Sequence, residues 1–115
     1  MPADPDNVLH RLAVADAATI TRLTDELRRS DDPSVLVAVA LFAPEPAEVL
    51  RRAAALATSS RDRQAVAIAD AYLAGDRDRV GVLARDHLVD HPDSVLVAWI
   101  ATASQHLTSN AKDQS

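Results

Sequence analysis

The sequence predicts an all-α protein: about seven short antiparallel helices stacked as helical hairpins, in one domain over residues 6–107. Three observations predict it. Hydrophobic residues make up 48% of the 115 positions, while aromatics reach only 3% and glycine occupies two positions. A core of Ala, Val and Leu suits close-packed helices, because Ala and Leu lose little conformational freedom on entering a helix. The second observation is an internal repeat. "SVLVA" stands at Ser34–Ala38 and again at Ser94–Ala98, after "DDP" in one copy and "HPD" in the other. The third is punctuation: proline, aspartate and glycine fall where helices of ordinary length must start and stop.

The elements follow in order. Helices are expected near residues 6–15 and 17–29, the second carrying Ile20, Leu23 and Leu27 in one apolar stripe. Asp32 and Pro33 supply an N-cap and a first-turn proline for a helix over 33–43. That helix is apolar almost all round and should be the most buried. "APEPAE" ends it and opens a helix over 46–58, with Val49, Leu50, Ala53, Ala54 and Ala57 at the i, i+3, i+4 spacing of a buried face. Ser59 or Ser60 can cap a helix over 61–74, whose "AVAIADAYLA" is a third segment of the "SVLVA" character. Gly75 then lies just past a helix end, and Asp76 starts a helix over 77–90 with Val80, Leu83, His87 and Leu88 inward. The last helix is expected over 93–107, leaving frayed ends at 1–5 and 108–115. Helices of this length joined by a few residues fold back on one another, and each pair needs a neighbour to cover its apolar face.

Bulk properties exclude several function classes. Without cysteine there are no disulfides, thiolate metal sites or cysteine nucleophiles. The N-terminus has no basic segment followed by an apolar run, so no signal peptide is read there. The longest apolar run, Val35 to Ala43, is half what a bilayer crossing needs. A soluble, cytoplasmic protein without a membrane partner is expected. Net charge is −5, and arginines alternate with aspartates as in "GDRDRV", a solvated, ion-paired pattern rather than a basic patch for nucleic acid. Lys112 is the only lysine, an arginine bias of the kind a GC-rich bacterial genome produces.

Residues 61–94 resemble one unit of the tetratricopeptide-repeat family. The family's inter-helix Gly-Asp falls on Gly75 and Asp76, and its terminal proline on Pro92. Departures are Ile68 at a small-residue position, Ala71 with Tyr72 one place late, and Val80 and His87 where alanines stand in the family. The resemblance implies a helical-hairpin array that binds a protein or peptide, as an adaptor or chaperone, without cofactor or catalysis. The positions that clamp a C-terminal carboxylate in some members are Ala65 and Ala69 here, so that clamp is not implied.

Candidate partner contacts are Arg51, Arg52, Arg77, Arg79 and Arg85 on the outward faces of two helices. Val97, Trp99 and Ile100 are added as an apolar patch, because no eighth helix is available to cover the last one. Such a patch would also suit a structural homodimer. The competing reading is a metal-binding enzyme or sensor using His87, Asp90 and His91 in "RDHLVDHPDS". His87 and His91 share a helix face only if the helix runs through both, and Pro92 disfavours helical backbone at His91. That placement predicts a His91 side chain splayed away. A third ligand would have to come from His106, Asp70 or Asp62, and no spacing selects one.

Overall fold

The computed structural model describes residues 5–113, with side chains described through Gln105. It contains seven helices, and no strand among the described residues: α1 Pro5–Val14, α2 Ala17–Leu27, α3 Pro33–Ala40, α4 Pro46–Leu56, α5 Ser60–Leu73, α6 Arg77–Asp90 and α7 Val95–Asp113. No described helix is long and apolar enough to cross a membrane. Of the expected frayed ends, residues 1–4, 114 and 115 lie outside the described residues. Where the backbone is described, Pro5 already belongs to α1, and α7 runs on past residue 107.

Side-chain oxygens start four of the helices. Asp16, Asp32, Ser59 and Asp76 accept from the backbone N–H groups of Thr19, Ser34, Asp62 and Arg79 respectively, satisfying donors with no partner inside the helix. The Thr19 N–H, 2.8 Å from Asp16 Oδ1, holds that carboxyl below its ordinary range. The end of α5 is a Schellman motif: the Gly75 N–H donates to the Tyr72 carbonyl and the Asp76 N–H to that of Ala71. Gly75 sits at φ +77°, a left-handed conformation that glycine adopts without steric cost. Asp76 therefore closes one helix through its backbone and opens the next through its side chain.

The two "SVLVA" copies start differently. Asp32 caps α3, with Pro33 at its first turn. At a shift of 60 the capping position is Pro92, which has no acceptor side chain. In that copy Ser94 Oγ lies 3.4 Å from the Val97 N–H, and α7 begins at Val95 rather than at residue 93. Reversing Asp-Pro to Pro-Asp thus moves the helix start by two residues.

Packing is centred on α3, which touches α1, α2, α4 and α5. Val35 through Ala40 are all buried in consequence. The odd-numbered helices close a circuit: α1 packs on α3, α3 on α5, α5 on α7, and α7 back on α1. On the outside, α4 bridges α3 and α5, and α6 bridges α5 and α7. The radius of gyration, 13.6 Å, matches the roughly 13 Å of a compact chain of this length. Phe42, Tyr72 and Trp99, the three aromatics, meet where α3, α5 and α7 converge, with ring centroids 5.4 Å (Phe42–Trp99) and 6.3 Å (Tyr72–Trp99) apart.

Candidate functional site

The circuit overturns one expectation about the surface. Val97 and Ile100 are fully buried, and Trp99 is half-buried against Phe42 and Tyr72. No apolar docking patch forms from these three, because α1, α5 and α6 all pack on α7. The helix that no eighth element could cover is covered by the first one. Among the described residues its exposed positions are instead Val95, Ala98, Thr102 and Gln105.

The five arginines separate into three environments. Arg52 is a tie within the fold: its guanidinium reaches Asp31 at 2.8 Å and also the carbonyls of Ser30 and Arg29. It thereby clamps the link between α2 and α3. Arg77 and Arg85 lie along a cleft of about 600 Å³ between α6 and α7, floored by Val80, Ala84 and Leu88. Arg77 there approaches its neighbour Asp78 at 3.9 Å. Arg51 and Arg79 lie in a separate groove of about 460 Å³ formed by α4, α5 and α6. A smaller depression between α2 and α4, about 170 Å³, is below the roughly 300 Å³ at which small-molecule sites begin.

The α4–α5–α6 groove has a simple origin in sequence. On α4 it is lined by Ala47, Leu50, Arg51 and Ala54, and on α5 by Arg63, Val66, Ala67 and Asp70. Each set is spaced i, i+3, i+4, i+7, one face of a helix. The two stripes lie side by side because α4 packs on α5, and Arg79 at the start of α6 completes the rim. The result is a floor of short aliphatic side chains with three guanidinium groups around it. Among the described residues, none of Arg51, Arg63 and Arg79 forms an ion pair. Asp70 is the one carboxylate in the lining. Arg63 and Val66 are absent from the sequence-derived candidates, and Asp70 is among them only as a possible metal ligand, although the second stripe of α5 is readable. Attention to its buried stripe, Ala65, Ile68 and Ala69, conceals it.

The histidines form a third arrangement. His87 is 1% exposed, and its Nδ1 lies 2.7 Å from Gln64 Oε1 on α5. A carbonyl oxygen only accepts, so Nδ1 carries the proton. His91 caps the end of α6, but its ring is not splayed away: the two imidazole centroids are 4.8 Å apart. Burial pushes the His87 pKa below its ordinary 6.5, helped by the nearby His91 and Arg61 and opposed by Asp90. Among the described residues, no three His, Cys, Asp or Glu side chains come together as a metal-holding group. Of the possible third ligands, Asp62 accepts from Ser34 Oγ at 3.3 Å, Asp70 faces the groove, and the His106 side chain lies outside the described residues.

No family model matches this chain, and neither a curated protein nor a solved structure matches it.

Proposed function

We propose that this chain is a small, non-enzymatic interaction module, an adaptor or chaperone of the cytoplasm, that receives a protein or peptide in the α4–α5–α6 groove. The observation carrying the reading is an aliphatic floor ringed by three arginines that form no ion pair among the described residues. Arg28 and Arg52, by contrast, are paired within the fold, with Glu48 and Asp31. Open clefts flanked by cationic side chains suit a partner surface better than the enclosed, apolar pocket typical of small substrates.

The helical elements fit a tetratricopeptide-like set of hairpins, α3 with α4 and α5 with α6, followed by α7. The circuit through α1 makes it a closed variant rather than an open array. The partner surface is accordingly placed on the outside, across α4, α5 and α6, rather than within a concave inner face.

Affinity capture from the native cell extract tests the reading, using the intact chain beside an Arg51→Glu/Arg63→Glu variant. Specific, saturable capture by the intact chain, lost in the variant while its helical content is unchanged, is expected. Capture equally strong with both would move the contact off this groove.

A further inference from the structure

We infer that the occupant of the α4–α5–α6 groove is an acidic, amphipathic peptide segment, which presents carboxylates to Arg51, Arg63 and Arg79 and apolar side chains to Leu50 and Val66. The inference rests on the groove reading above and specifies its ligand.

Charge complementarity carries it. The chain is acidic overall, at −5, yet this lining collects three arginines against one aspartate. Each arginine comes from a different helix, so anionic groups meet cations on more than one side of the floor. Guanidinium groups bind carboxylates through paired N–H donors, and here no ion pair among the described residues has to be broken first. The floor adds a second requirement. Leu50 and Val66 with the alanines between them bind apolar side chains, and a ligand of charge alone would leave that surface wet.

Nucleic acid fits less well. A single-stranded ligand stacks its bases on aromatic side chains, and the groove lining has none. Phe42, Tyr72 and Trp99 are engaged with one another at the α3–α5–α7 junction. Asp70 and the negative net charge also oppose a polyphosphate backbone.

The test titrates the intact chain, isotopically labelled for amide NMR, with three designed probes. These are a Glu/Leu amphipathic peptide, a Lys/Leu peptide of the same pattern, and a serine-spaced Glu peptide without leucine; a short oligodeoxythymidine is the fourth ligand. The Glu/Leu peptide is expected to shift amides of α4, α5 and the start of α6. Its affinity should fall at least about tenfold for the other two peptides and with rising salt. The Arg51→Glu/Arg63→Glu/Arg79→Glu variant should lose the same factor, while an Arg11→Glu/Arg22→Glu/Arg29→Glu control of equal charge change should not. If the Lys/Leu peptide or the oligonucleotide binds the groove as tightly, the acidic-peptide inference is overturned and the groove reading survives. If no probe shifts the groove amides, both fall.

Discussion

His87, buried on α6, and Gln64, at the exposed edge of α5, face each other, Nδ1 to Oε1 at 2.7 Å. This contact joins two packed helices through neutral partners, and its neutrality makes it pH-dependent. Because burial holds the folded-state pKa of His87 below 6.5, the unfolded chain takes up a proton first as pH falls. Stability tied to His87 is therefore fully present above 6.5 and is lost as pH drops through the depressed folded value. Chemical denaturation at a series of pH values should show the decline. A Gln64→Leu/His87→Leu variant, which removes both partners together, should flatten it. Gln64→Leu alone leaves a buried N–H unsatisfied and should cost about 1–3 kcal/mol.

The same pair bears on metal binding. The Nδ1–H bond to Gln64 leaves Nε2 free to ligate, but the described residues supply no third ligand around His87 and His91. Elemental analysis of purified protein should find no stoichiometric zinc, iron or manganese. A metal retained at one per chain and lost on His87→Ala would instead make these histidines a site.

The two glycines should respond oppositely to alanine. Gly75 holds a positive φ at the end of α5, so Gly75→Ala should destabilise by about 1 kcal/mol. Gly81 lies within α6 with open space where a Cβ would project. Gly81→Ala should stabilise by about 0.5–1 kcal/mol. Urea midpoints of the two variants check both signs.

Ile100 and Trp99 should behave as core, not as contact surface. Ile100→Ala is expected to cost about 2–5 kcal/mol, with a matching drop in melting temperature. Trp99, the single tryptophan, reports on its junction with Phe42 and Tyr72. Phe42→Ala should lower stability and shift the tryptophan emission toward that of the unfolded chain.

Asp32→Ala should lower stability by about 1 kcal/mol, because it removes the cap from the most buried helix. Ser94→Ala tests whether the second copy has transferred that duty to its serine, and a similar loss is expected there.

Most of the helix plan was legible because its signals are local. Caps, first-turn prolines and Gly75 lie within a few residues of the ends they define, and the all-apolar run at Val35–Ala40 announces a helix buried on every side. What is not local was not legible. The contact of α1 with α7 depends on the whole chain's path, so nothing in "SVLVAWIA" discloses that Val97 and Ile100 are covered. Its repeat partner does not help, since the α3 copy lies at the centre of the molecule and the α7 copy keeps an outward face through Val95 and Ala98. Arg51 was visible as an outward arginine, but its company with Arg63 and Arg79 arises only when α4, α5 and α6 pack together. Arg52, adjacent in sequence, turns instead to Asp31. Neighbouring positions on a helix point about 100° apart, and here that rotation separates a groove residue from a tie within the fold.

Site-specific photo-crosslinking in the native cell tests the central claim most directly, with a photoreactive residue at Ala67 in the groove or at Ala13 on α1. The groove account predicts a discrete adduct to an acidic partner from position 67, abolished by Arg51→Glu/Arg63→Glu, and none from position 13. An adduct from position 13 with none from position 67 would contradict it, placing the partner on another face of the molecule.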